Sequence, residues 1–294
     1  SISLALPAAS LRDSTWSSSS VILVPITSLL YGVADFLGGE ASRKVSAASV
    51  VVWSGVLSFP PLVAVALAFG GEATVDDYLI GLAAGAAGAT GLVMLFAGLA
   101  KGRAATVAPL SAAIGAVVPV VVAVISGDRP SAWAWVGVAL AVPAIALSAW
   151  TDDETGSVRV GLRYGFVAGL GFGGFAAIIG LTSDDSGLLP LIAARGATVL
   201  LVLALSLAGV WALDRFSEAP RAIVVANSVL DVSANMTLIV ALRAGSFALA
   251  AVAASFYPAV TVILARLVNG ESLRKRQMVG IAGTLVALAL IAAN

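Results

Sequence analysis

The chain has 294 residues, is 60% hydrophobic and only 11% charged, and has a mean hydropathy of +1.05. Its 16 basic and 16 acidic residues balance, so no basic face suggests nucleic acid. The absence of Cys and His removes disulfides, thiolate and imidazole metal sites, thiol catalysis and the usual general base. So much apolar sequence calls for a bilayer and not a soluble core.

Ten apolar stretches of about 20 residues follow one another, the length that spans a membrane as a helix. The polar, Ser-rich residues 1–19 ("STWSSSS") are expected to form a leader before an uncleaved first span. Span 1, residues 20–39, carries Asp35 with Tyr31 one turn before it. Asp35 either lines a cavity or pairs at the loop side with the nearby Arg43 or Lys44. Span 2, 46–69, holds Trp53, which is expected to line a cavity because it sits away from the obvious interface. Span 3, 78–99, presents small residues in "GLAAGAAGATG", suited to close helix packing. Spans 4 (104–126) and 5 (131–150) follow. Trp133, Trp135 and Trp150 lie at the ends of span 5, where interfacial anchors belong.

A charged linker, 151–159, separates five spans from five. Span 6, 160–182, contains "GLGFGG", a literal G-x-G-x-x-G. That fingerprint needs a strand before it and a soluble βαβ unit around it, so close packing is the reading here. Span 7, 187–213, carries Arg195, the one mid-span cation. It is either a permanent partner of Asp231 or Asp35, or a receiver for a substrate carboxylate. Span 8, 219–242, includes "ANSVLDVSANMTL". There Asn227, Asp231 and Asn235 fall at i, i+4 and i+8, near one face. A carboxylate in a bilayer costs about 3 kcal/mol on insertion scales, so it is expected to face protein or water. The stripe reads as a cavity wall in which Asp231 contacts a substrate amine or a proton; each Asn alone would be packing glue. Span 9, 246–268, contains Tyr257-Pro258. Pro258 removes a backbone donor and is expected to kink the helix at a gate, or simply for packing. Tyr257 is a candidate substrate contact. Span 10 covers 275–293.

The chain also matches itself. Leu99 and the residues after it lie without gaps over Leu242 and those after it, a shift of 143 residues. Gly102 meets Gly245, Gly127 meets Gly270 and Asp128 meets Glu271. The front of each half aligns at a shift of 141, with Tyr31-Gly32 over Phe172-Gly173 and Ser54-Gly55 over Arg195-Gly196. Two units of five spans, 20–150 and 160–294, enter the membrane from opposite sides, because five is odd. Inverted repeats of this kind are common in secondary transporters.

The segments "LLYGVADFLGGEASRK", "PLSAAIGAVVPVVVAVISGDRPSAWAWVGVALAVPAIAL" and "ASFYPAVTVILARLVNGESLRKRQMVGIAGTLVALALI" resemble the EamA-type ten-helix exporters of the drug/metabolite transporter superfamily. The resemblance implies an all-α membrane protein, ten helices around a central cavity, and export of small metabolites such as amino acids, aromatic ones included, across the inner membrane. One departure is that the first copy has Ile114-Gly115 where the second has Tyr257-Pro258, with Pro119 five positions on.

The expected activity is therefore transport and not enzymology. The expected partners are a small-molecule substrate, the lipid bilayer and protons, with Asp231 and Asp35 as the candidate proton sites. No cofactor is expected, and the chain is expected to act as a monomer. Neutral metabolites or cationic drugs are the alternative substrates, and a channel-like or structural membrane protein is the alternative class. Loops and helix ends after the odd-numbered spans hold twelve Lys and Arg residues, from Arg43 to Arg276, against Arg12, Arg129 and Arg243 on the other side. The positive-inside rule then makes the first side cytoplasmic.

Overall fold

The computed structural model describes residues 18–125, 127, 131–149, 157–243, 247–270 and 273–292. Among them the chain forms ten α-helices and no strand. These are α1 (Ser18–Ala41), α2 (Ala47–Phe69), α3 (Val75–Lys101), α4 (Ala104–Ile125), α5 (Ala132–Ala149), α6 (Ser157–Ile179), α7 (Leu189–Leu207), α8 (Arg221–Arg243), α9 (Phe247–Asn269) and α10 (Lys275–Ala292). Five of them, α2, α3, α4, α6 and α7, are long and apolar enough to cross a membrane. Their outer faces are apolar too: Leu67, Ile125 and Leu200 are 64%, 80% and 65% exposed. Lipid is the solvent that such faces suit. Residues 1–17 of the leader, Arg129, Trp150 and linker residues 151–156 lie outside the described residues. Trp133 and Trp135 are exposed in the first turn of α5.

Helix ends follow local chemistry. α3 begins at Val75, three residues before the apolar run suggests, because Thr74 and Asp77 form a reciprocal capping box. α7 stops at Leu207, not at 213. Gly209 adopts φ +79° and turns the chain away. The apolar "VWAL" that follows reads as span but belongs to a loop, and its Trp211 packs on the core.

The main packing runs between the first five helices and the last five. α1 packs on α8 and α9, α6 packs on α3 and α4, and α5 packs on α10. Small residues let these backbones approach. A Cβ on Gly85 of α3 would land on the Ala194 carbonyl of α7. Gly169 and Gly173, from "GLGFGG", face α4, where a Cβ would meet the carbonyls of Ser111 and Gly115 at 2.8 and 2.9 Å.

The two ends of the bundle differ. One carries Arg43, Lys44, Lys101, Arg103 and Arg215 in or beside its turns and is called the basic end. The other carries Glu72, Asp76, Asp77 and Asp185 and is called the acidic end. At the basic end the core is filled by Phe36, Leu95, Phe96 and Leu99, all buried. The α7–α8 loop clasps the start of α2 there. Asp214 accepts from the Ser46 backbone N–H at 2.6 Å and from Ser49 Oγ at 3.2 Å. Its own N–H donates to Ser49 Oγ at 2.6 Å. Ser46 Oγ donates to the Ala212 carbonyl, also at 2.6 Å. The Ser46 N–H in particular holds the Asp214 carboxyl below the usual carboxylate range. Beside the clasp, Asn269 of α9 donates to Glu40 of α1 at 2.7 Å.

Candidate functional site

A cavity of about 370 Å³ lies inside the bundle. It is lined from α1, α2, α3, α6, α7, α8 and α9. Tyr31, Gly88, Asp231 and Tyr257 stand near the middle of their helices. Ala176, in the last turn of α6, and Leu191, in the first turn of α7, carry the lining to the acidic end. The volume is that of a small-molecule site.

One wall is polar. Asp231 and Asn235 project from α8, Tyr31 and Asp35 from α1, Arg195 from α7 and Tyr257 from α9. Arg195 donates Nη2 to Asp231 Oδ2, and the two side chains are 15% and 21% exposed. Of the two carboxylates expected as partners of Arg195, Asp231 is the one it pairs with here. Tyr31 lies in the electrostatic field of Asp231, Arg195, Asp35 and Tyr257 together. Asp35 faces Asp231 electrostatically but has no ion pair among the described residues. Arg43 pairs with Glu40 at 2.9 Å instead. With all three ionised, Asp35, Asp231 and Arg195 give the wall one net negative charge.

Two expected lining residues stand elsewhere. Asn227 is 2% exposed, and its Nδ2 donates to the Ala34 carbonyl at 2.7 Å. The reason is helical drift. Eight residues advance the face by about 80°, so the end of the stripe turns against α1 while Asp231 and Asn235 keep to the cavity. Trp53 lies in the second turn of α2, close to the basic end. Its Nε1 donates to the Asp214 carbonyl at 3.1 Å, and its ring tilts on Phe216 at 5.5 Å. It belongs to the clasp. Pro258 is buried inside α9, next to Tyr257.

The rest of the lining is largely apolar: Leu62, Leu92, Phe172, Phe175 and Leu191. Residue type alone does not single these out, but the self-match carries a signal. The shift that lays Tyr31 on Phe172 also lays Asp35 on Ala176. Extended back from Leu99, the shift of 143 lays Gly88 on Asp231 and Leu92 on Asn235. All eight line the cavity, and in each pair the ionisable or amide side chain, or the phenol, comes from one copy only. Thr198 also lines it, but its hydroxyl donates to the Gly85 carbonyl at 2.9 Å.

Chemically, the site can neutralise charge, exchange hydrogen bonds and shelter an apolar group. Among the described residues, no group of three or more acidic side chains converges that could hold a metal. No curated protein matches the chain. Residues 18–150, the segment from α1 through α5, match the EamA-like transporter family, part of the drug/metabolite transporter superfamily, and the match points to a multi-pass membrane transporter of small molecules.

Proposed function

We propose that the protein is a secondary transporter of the inner membrane that exports small organic metabolites, amino acids first among them, by alternating access. One observation carries this reading. A cavity of about 370 Å³ brings Arg195, Asp231 and Asp35 together with Phe172, Phe175 and Leu92. A molecule with a charged backbone and an apolar side chain fits both parts of this lining. Ionisable groups inside a bilayer are costly and mark substrate or ion paths. A substrate carboxylate shares the Arg195 guanidinium with Asp231, since N–H donors remain beside the one that Asp231 takes, and its apolar side chain lies on the phenylalanines and Tyr257. The ring of Tyr257 contacts that side chain, and Pro258 lets α9 flex beside it.

Two inverted five-helix units, 20–150 and 160–294, rock about this cavity. Support comes from the packing: replacing each helix by the one five places on turns the α1–α8 contact into α6–α3, and α1–α9 into α6–α4. With the basic end cytoplasmic, the cavity faces outward in this conformation. Gradients of substrate or protons supply the energy, and a single chain suffices.

Counterflow tests the reading. Proteoliposomes are loaded with unlabelled amino acid and labelled substrate is added outside. Saturable, trans-stimulated uptake is expected; linear flux without trans-stimulation means a channel. A second reading, an organic cation, is favoured by the existing Arg195–Asp231 pair, which leaves Asp35 as the unpaired charge. Exchange of amines but of no amino acid would select it.

A further inference from the structure

Asn235 lines the cavity, and both ends of its amide already make a hydrogen bond within the protein. Its Nδ2 donates to the Asp231 carbonyl at 2.7 Å. A carbonyl only accepts, so this bond fixes which end of the amide is nitrogen. The amide oxygen then faces the Tyr31 hydroxyl at 3.1 Å. That oxygen also only accepts, so the Tyr31 O–H is committed to it. Lone pairs are what Tyr31 Oη retains. Asp35 follows one turn later on α1, where i and i+4 share a face. When ionised its carboxylate accepts only, and it has no ion pair among the described residues. Tyr31 and Asp35 line the same cavity.

The geometry points to a corner formed by Tyr31 Oη and the Asp35 carboxylate that holds a primary ammonium group, with Asn235 as the positioning residue that aims the Tyr31 hydroxyl. The inference rests on the transporter reading of this cavity and refines it: the amine sits at Asp35, since Arg195 already holds Asp231. An ammonium offers three donors and no acceptor, the complement of such a corner. The groups around it are Asp231 on α8, Arg195 on α7 and Tyr257 on α9. The matching positions of the second copy are Phe172 and Ala176, whose side chains accept nothing. The second copy therefore has no such corner at the matching positions.

Three probes separate the parts: leucine, isopentylamine (leucine without its carboxylate) and 4-methylvalerate (leucine without its amine). Each is titrated calorimetrically into the purified full chain in detergent. Wild type is expected to bind both amines. Tyr31→Phe and Asn235→Leu should each weaken the two amines about tenfold, the worth of a hydrogen bond to a charged group, and leave 4-methylvalerate unchanged. The double variant should be no weaker than Tyr31→Phe, because Asn235 acts through Tyr31. Asp35→Asn should abolish amine binding and Asp35→Glu should restore part of it; if Asp35→Asn fails to fold, the Tyr31 and Asn235 variants decide.

Leucine binding that survives Asp35→Asn and Tyr31→Phe overturns the corner and leaves the amino-acid reading standing. Isopentylamine binding with these sensitivities, but no leucine binding, upholds the corner and removes amino acids as substrates. Equal weakening of amines and acid shows a merely structural role and overturns the corner. Failure of wild type to bind isopentylamine overturns it as well.

Discussion

Arg195 on α7 reaches Asp231 on α8 and pairs with it in the wall of the cavity, both side chains mostly shielded from solvent. Removing one partner leaves the other charge uncompensated. For a fully buried pair that costs about 3–5 kcal/mol; with the cavity on one side, about 2–3 kcal/mol is expected. Asp231→Asn should therefore unfold earlier and extract less cleanly than wild type. Arg195→Gln in the same chain should restore monodispersity without restoring transport. Thermal unfolding and counterflow on the two single variants and the double check this. Wild-type stability in Asp231→Asn would show that the pair is no more than a loose contact.

The polar wall was legible because polarity is expensive in a bilayer. Asp231, Asn235, Arg195, Tyr31, Asp35 and Tyr257 stand out against their apolar stretches, and all six line one cavity. The apolar lining gave no such contrast. Phe172, Phe175 and Leu62 look the same in sequence whether they face lipid or cavity. Only the self-match marked Phe172 and Ala176, through their counterparts Tyr31 and Asp35. Asn227 turns against α1 because a four-residue spacing drifts around the helix. Trp53 stands away from the cavity because its partners, Asp214 and Phe216, lie more than 150 residues away in a loop whose first residues read as membrane span. The ten helices needed only hydropathy; the clasp depends on a turn set by Gly209.

Close packing between α3 and α7 positions Arg195. A Cβ on Gly85 would meet the Ala194 carbonyl, carbon and Cα, all backbone, so no side chain can yield. Gly85→Ala is expected to cost about 1–3 kcal/mol, the range for overpacking, and to impair transport by moving the neighbouring arginine. Gly196→Ala is the control. Its Cβ would meet only a Phe59 ring atom at 3.8 Å. It should be neutral or stabilise by about 0.5 kcal/mol. Thermal unfolding of both in one detergent decides; equal losses would contradict the close approach.

Tyr257 and Pro258 are adjacent, yet one lines the cavity and the other is buried in its helix. Tyr257→Ala should weaken binding about tenfold for leucine and about twofold for glycine, because the lost contact is apolar area. Pro258→Ala restores a backbone donor inside α9. It should change turnover more than affinity. Counterflow rates and calorimetric affinities over glycine, alanine and leucine separate the two. Equal losses for glycine and leucine would reduce Tyr257 to a packing role.

The clasp at the basic end should respond to acid. Hydrogen bonds from Ser46, above all from its backbone N–H, favour ionised Asp214 and hold its folded value below the ordinary 3.8. A depressed carboxylate stabilises fully above its unfolded value, and that stability disappears as pH falls through the folded value. The melting-temperature gap between wild type and Asp214→Asn should therefore be constant above about pH 5 and shrink only below the ordinary carboxylate range. A gap that already closes near neutral pH would mean that Asp214 is not ionised in the clasp.

Orientation can be settled without disturbing the fold, because the chain contains no Cys. Single cysteines are placed at Arg215, exposed in the α7–α8 loop, and at Glu72, exposed between α2 and α3. These positions lie at the basic and acidic ends respectively. Twelve Lys and Arg residues against three lead the positive-inside rule to predict a cytoplasmic basic end. In intact cells a membrane-impermeant maleimide should then label Glu72→Cys and spare Arg215→Cys until the membrane is opened. The same experiment reads the state of the cavity, since its lining reaches the acidic end at Ala176 and Leu191. A cysteine at Ala176 should be labelled from outside, and saturating substrate should slow that labelling. Labelling of Arg215→Cys from outside, with Glu72→Cys protected, would reverse the orientation and make the conformation described here inward-facing.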